Sequence, residues 1–193
     1  MLSFRTYIGP EIAQVVEPFA RLRIAVFRDW PYLYDGDLDY ERRYLADYAR
    51  GDTILVAAYH GDRMVGASTG MPLSDHADDF ADALQTFTQD INTVFYGAES
   101  VLLSEFRGQG TYRRFFTKRE AHARARNFTY STFCGVRRPD DHPLRPKGHQ
   151  PLDPVWRHFG YTPVPGAIAQ FNWRDIGEAE ETPKPLQFWI KPL

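Results

Sequence analysis

A single cysteine, Cys134, stands in a chain of 193 residues, so an internal disulfide framework and any multi-cysteine metal centre are excluded. Long apolar runs are missing too. No stretch approaches the ~18 consecutive apolar residues that a membrane span needs, and the opening Met1-Leu2-Ser3-Phe4-Arg5-Thr6 lacks a charged segment followed by an apolar one. A net excess of either charge is nearly absent: 23 basic residues against 25 acidic ones leave a formal net charge of −2, which argues against a general affinity for polyanions. These absences predict a protein of the reducing cytoplasm with no membrane and no nucleic-acid partner. The Asn127-Phe128-Thr129 sequon then has no secretory context. His142 and His149 lie in a proline-rich loop without a third ligand at metal spacing, so no metal is expected.

What is present is 43% hydrophobic and 15% aromatic, enough for one domain, residues 1–193, with a full core. Aromatics concentrate at 27–48, 156–161 and 171–189, which suggests a lined cleft or an oligomer contact such as a homodimer. Residues 3–8 read as a strand, and Pro10 opens a helical pattern running to Phe27 and stopped by Pro31. A second helix is predicted over 39–50. Residues 53–59 and 64–71 read as an antiparallel pair across His60-Gly61-Asp62-Arg63. A polar segment at 74–91, with Phe80, Leu84 and Phe87 at helical spacing, reads as a lid-like helical insertion. A strand at 93–103, a helix at 111–126, a strand at 128–136, a Pro-rich basic loop at 137–151, a short helix at 153–159 and strands near 167–173 and 186–191 complete the chain.

The most informative run is Glu99-Ser100-Val101-Leu102-Leu103-Ser104-Glu105-Phe106-Arg107-Gly108-Gln109-Gly110-Thr111-Tyr112, an apolar strand passing through Arg-Gly-x-Gly into a helix. Two glycines permit a tight turn and close backbone approach, and the helix that follows offers unpaired N–H groups at its positive end. That is a cradle for an anion, and a pyrophosphate fits it. A P-loop would need Gly-Lys-Ser/Thr, and a dinucleotide fingerprint a third glycine three places after Gly110; neither is present.

This run resembles the acyl-CoA-binding signature of the GNAT N-acetyltransferase superfamily, Arg/Gln-x-x-Gly-x-Gly/Ala, with Tyr112 in place of the last small residue. The order β, α, α, β, β, insertion, β, α, β, α, β, β is similar to that family along the whole chain, and Val155-Trp156-Arg157-His158-Phe159-Gly160-Tyr161 is similar to its late aromatic-x-x-x-Gly-aromatic segment. The resemblance implies a mixed α/β fold, with a mostly antiparallel twisted sheet of about seven strands flanked by helices. It implies acetyl-CoA as acyl donor and a small-molecule or peptide amine as acceptor.

Carried over by position, Arg107, Gly108, Gln109, Gly110, Thr111 and Tyr112 would hold the pyrophosphate, and the backbone of Leu102, Leu103 and Ser104 the pantetheine arm. Glu99, a carboxylate in an otherwise apolar strand, is a general-base candidate or one half of a structural ion pair. The family's usual acid, a tyrosine four residues before the late glycine, is Trp156 here, leaving Cys134, Tyr161, His142 and Ser104 as substitutes. Tyr32, Tyr34, Asp35 and Asp37 interleave aromatics with acids where the family borders its acceptor site, which would suit a cationic amine. The basic loop carrying Arg137, Arg138, His142 and Lys147 favours an acid-bearing acceptor instead. A CoA-binding protein without catalysis, used for sensing or assembly, is the alternative.

Overall fold

The computed structural model describes residues 1–193. Strand β1 (Ser3–Ile8) leads through a 3₁₀ turn into α1 (Val16–Phe27), followed by α2 (Leu38–Ala46). The hairpin is β2 (Ile54–His60) and β3 (Arg63–Pro72), and α3 (Ala81–Leu84) lies in the segment after it. Next come β4 (Val94–Tyr96), β5 (Ser100–Leu102), α4 (Thr111–Ala125), β6 (Tyr130–Val136), α5 (Asp153–His158), β7 (Thr162–Trp173) and β8 (Thr182–Pro192). No helix is long and apolar enough to cross a membrane.

The sheet has eight strands in the order β1-β2-β3-β4-β6-β8-β7, antiparallel except for β4 against β6, with β5 beside β3. The mixed α/β class and the mostly antiparallel sheet are as anticipated. The extra strand arises because the stretch read as one strand, 93–103, breaks at Gly97-Ala98-Glu99.

Side-chain alternation explains why β2 is buried along nearly its whole length. Leu55, Ala57 and Tyr59 join the core with Phe19 and Leu22 of α1, whereas Ile54, Val56 and Ala58 join Phe115 and Ala123 of α4. Helices therefore cover both faces. A third cluster, Phe116, Phe133, Tyr161 and Trp189, packs α4 against β6–β8.

Two expectations change. The 74–91 segment is mostly turns with one four-residue helix, and Phe80, 2% exposed, packs edge-on against Tyr96, Phe171 and Phe188 at 5.0–5.3 Å. Its apolar residues serve the core, and the helix expected there shrinks to one turn. The predicted first helix begins as a 3₁₀ turn over Gly9–Val15 and becomes α-helical only at Val16.

Gly70 of β3 has no room for a side chain: a Cβ there would lie 2.4 Å from Phe95 Cε1. Gly70→Ala is expected to destabilise the protein by about 1–3 kcal/mol through overpacking, read as a lower urea midpoint with unchanged slope. An unshifted midpoint would contradict this account of the β3–β4 contact.

Candidate active site

The site begins where two strands part. Parallel pairing of β4 with β6 ends at Tyr96 opposite Thr132, and the last hydrogen bond runs from Gly97 N to Thr132 O at 2.7 Å. Beyond it, β5 pairs only with β3 and the rest of β6 pairs only with β8. The register fixes which backbone groups face the opening. Thr69 N bonds to Glu99 O and Leu103 N to Val65 O, both at 3.0 Å, so residues 99, 101 and 103 are turned toward β3. The N–H groups of Ser100 and Leu102 point into the gap.

The cradle lies at the outer end of that gap. Gly108 and Gly110 both have φ of +75°, and no heavy atom lies within 4 Å of where either Cβ would sit. The backbone N–H groups of residues 108–113 donate to nothing within the protein, while Gly110 caps α4 and its carbonyl accepts from Arg114 N. Thr111 Oγ1 beside them is buried without a hydrogen-bond partner. Arg107 braces Leu102 O through Nε at 3.3 Å and leaves the rest of its guanidinium exposed. A diphosphate with an extended amide-bearing arm fits this donor set and this open edge.

Two cavities meet through the opening. One, of about 390 Å³, lies on the α4 and α5 side, between Ser100 and the residues of β6 from Phe133 on, with Tyr112, Arg119 and Trp156 in its wall. The other, about 520 Å³, lies on the α1 and α2 side and is walled by Tyr34, Asp35, Asp37, Tyr44, His76 and Trp173 among others. Tyr32, Ala98, Glu99 and Cys134 border both.

Glu99 is 8% exposed and held from several directions. Its Oε1 accepts from Thr69 Oγ1 at 2.6 Å; its Oε2 pairs with Arg23 Nη1 and accepts from Tyr48 OH at 3.3 Å. Arg23 Nε reaches Glu41 Oε2 at 2.6 Å, so one buried guanidinium serves two buried carboxylates. Burial opposes the Arg23 charge, but Glu99 and Glu41 outweigh it and hold the pKa well above its ordinary value. The ion-pair partner weighed for Glu99 is therefore Arg23, and the carboxylate still borders both cavities.

Tyr32 is positioned through its backbone. Its carbonyl accepts from Arg138 Nη2 at 2.7 Å and Trp173 Nε1 at 3.0 Å, and Arg138 is itself clamped by Asp175 at 2.6 and 2.9 Å. Burial, then Cys134 and Glu99, push the Tyr32 phenol above its usual range, so it stays protonated. Tyr34 also lines the larger cavity. Asp35 pairs with Arg174 at 2.8 Å, and Asp37 caps α2 by accepting from Tyr40 N at 2.7 Å.

Other site candidates lie elsewhere. Tyr161, 1% exposed, hydrogen-bonds Ser131 Oγ at 2.8 Å and Glu120 Oε1 at 3.1 Å beneath α4 and borders neither cavity. His142 packs edge-on to Trp30 at 5.1 Å and also borders neither. Leu103 spends its N–H on Val65, and exposed Ser104 begins a 3₁₀ turn, so the open edge consists of Ser100 and Leu102. Gln109 is exposed on the cradle. In the basic loop, Arg138 is committed to Asp175 and Arg145 to Asp140.

Some of the site was missed by sequence reasoning. Strand periodicity of two, applied to Leu102, would have found Ser100. Arg23 and Arg119 carried a weaker signal, a charge on the buried face of a helix. Trp156 fills the place expected for an acid, but its Nε1 donates to Tyr112 OH at 3.1 Å and its ring covers Gly135, whose Cβ would lie 2.5 Å from Cη2. No group of His, Cys, Asp and Glu side chains is arranged to hold a metal ion.

No protein-family model and no curated protein sequence matches the chain. Solved structures do. The ribosomal-protein-alanine N-acetyltransferase from Brucella melitensis is 13% identical, covers 99% of both chains and superposes with a TM-score of 0.62. The yncA protein from Salmonella typhimurium, solved with its cofactor acetyl-CoA, is 11% identical over 100% of this chain and 94% of its own, with a TM-score of 0.57. A GCN5-related N-acetyltransferase from Kribbella flavida is 13% identical over 100% and 98%, with a TM-score of 0.58. The likeness, spanning the whole chain, shows that this protein has the GNAT fold.

Cys134 borders both cavities, yet its only side-chain hydrogen-bond partner is Tyr96 OH at 3.4 Å, and burial pushes the thiol up to about 12. Its thiolate fraction at pH 8 is then far below that of the unfolded chain. Iodoacetamide should accordingly alkylate native Cys134 orders of magnitude more slowly than the urea-unfolded protein. Equal rates would reverse this reading and restore Cys134 as a nucleophile.

Proposed function

We propose that the protein is an acyl-CoA-dependent N-acyltransferase that transfers acetyl from acetyl-CoA to a primary amine by direct attack. The observation that carries the reading is the continuity of three features: free N–H groups at 108–113, an open β5 edge leading inward from them, and a junction with a second cavity on the opposite face of the sheet. A donor and an acceptor entering from opposite faces would meet there without passing each other.

Bound acetyl-CoA would supply the activated acyl group. The chain's own residues do the rest. Residues 108–113 bind the pyrophosphate at the positive end of α4, with Arg107 adding charge. The Ser100 and Leu102 N–H groups hold the pantetheine arm and orient the thioester. Glu99, fixed by Arg23 and Thr69, takes the proton from the attacking amine, directly or through a water. The acceptor cavity, with Tyr32, Tyr34, Asp35, Asp37, Glu41 and Asp79 in its wall, favours a cationic amine.

A second reading has one observation in its favour. Trp156 stands where the family resemblance expects an acid, and its indole N–H is engaged by Tyr112. Without a proton donor the same cleft would bind CoA for sensing or assembly. Acetyl-CoA consumption across an amine panel separates the two readings.

The binding claim has a sharper test. Gly110→Asn and Gly110→Asp present side chains of matching shape, both tolerant of positive φ, and differ only in charge. The Asp variant should bind CoA at least about tenfold more weakly than the Asn variant by calorimetry, because its carboxylate opposes the pyrophosphate. Equal affinities would place the CoA elsewhere.

A further inference from the structure

Arg119 is a charged group the reaction described above does not use. It sits on the sheet-facing side of α4, is 4% exposed and lines the donor cavity. No carboxylate lies within ion-pair distance of it. Its three hydrogen bonds all leave from Nη1 and end on neutral acceptors: Thr69 O and Glu99 O at 3.3 Å, and Ser100 Oγ at 3.1 Å. Nε and Nη2 make none, and neither is among the fully buried polar atoms left without a partner, so both keep some access on a side chain that lines the cavity. Space for the guanidinium exists because residue 97 is glycine; a Cβ there would lie 2.8 Å from Nη1.

A buried cation without a counter-ion is costly, and it is retained where an anion arrives. Here it is anchored to Ser100, whose backbone N–H already faces the gap, and it lies on the donor side of the opening, whereas the Glu99 carboxylate is turned toward Arg23 on the acceptor side. Negative charge develops during acyl transfer on the carbonyl oxygen as the amine adds and on the sulfur as it departs, and the sulfur leaves on the donor side.

We propose that Arg119 is a catalytic residue that stabilises the leaving thiolate of CoA, standing in for the proton donor that Trp156 cannot be. The assignment rests on the acyl-CoA reading. As the amine nitrogen bonds to the acyl carbon, the carbon–sulfur bond breaks and its electron pair passes to sulfur. The amine's proton goes to Glu99. The guanidinium holds the thiolate until solvent supplies a proton.

Four titratable groups near Arg119 have shifted ranges that keep each in one protonation state between pH 6.5 and 8.5. Tyr112 of α4, Cys134 of β6 and Tyr161, just before β7, are kept protonated by burial, and His149 of the 137–151 loop is kept neutral by burial and by Arg145. Glu99 presents its carbonyl.

The test compares the affinities of CoA and desulfo-CoA, which differ only in the sulfur, by calorimetry from pH 6.5 to 8.5. A free CoA thiol titrates near that of cysteine, about 8.5, and lowering it by one unit in the complex makes the CoA preference grow about fivefold across this range. The wild type should show that growth, Arg119→Lys should keep most of it, and Arg119→Met should have a flat ratio. A flat ratio in the wild type overturns the assignment, as does an undiminished slope in Arg119→Met. Should the Met variant not fold, the wild-type profile still decides. Failure of both ligands to bind overturns the acyl-CoA reading and this assignment with it, whereas tight binding with a flat ratio overturns Arg119 alone.

Discussion

The parting of β5 from β6 after the Gly97–Thr132 hydrogen bond is the constraint on which the rest of the site depends. Open sheet edges are normally a liability that proteins cover or charge. Here an unpaired edge is kept inside the molecule, bounded by α1 and α2 on one face and α4 and α5 on the other. The chain enforces the gap locally. Gly97 admits the Arg119 guanidinium against the backbone, Glu99 is drawn to Arg23 and Thr69, and the Glu99 carbonyl and the Leu103 N–H lock β5 to β3. Each interaction pulls the strand away from β6 after Thr132.

Charge is distributed across the gap with the same logic. On the α1 side, one buried guanidinium, Arg23, is shared by two buried carboxyl groups, Glu41 and Glu99. On the α4 side, Arg119 bonds only to neutral acceptors. A cationic amine and an anionic leaving group would therefore each meet the opposite sign on the side from which it approaches. Buried charges of this kind cost stability and are poor devices for holding a fold together, which makes their concentration around one opening a functional signature.

Much of the fold was legible because its signals are local. The alternation around His60-Gly61-Asp62-Arg63, the Gly108 and Gly110 turn and the amphipathic face of α4 are carried by near neighbours in sequence, and all appear where the pattern places them. Long-range competition decided what was misread. Phe80 and Phe87 have helical spacing but are claimed by Phe188 from the far end of the chain, so the expected insertion helix shrinks to a single turn. Tyr161 lies close in sequence to Trp156, yet the turn at Gly160 directs it under α4 toward Ser131. The left-handed turn at Gly108 and Gly110 was readable from its motif. The partners of Glu99 were not, because Arg23, Tyr48 and Thr69 come from three other elements or turns and meet only when the sheet is assembled.

The central claim is that the open β5 edge and the N-terminus of α4 form one continuous binding surface for acyl-CoA. Amide hydrogen exchange measured residue by residue, with and without CoA, addresses it most directly. The account predicts that CoA slows exchange at Ser100, at Leu102 and across residues 108–113 together, while the amides of Val101 and Leu103, already bonded to β3, change little. Protection confined to other surfaces, or protection of the cradle without Ser100 and Leu102, would contradict it.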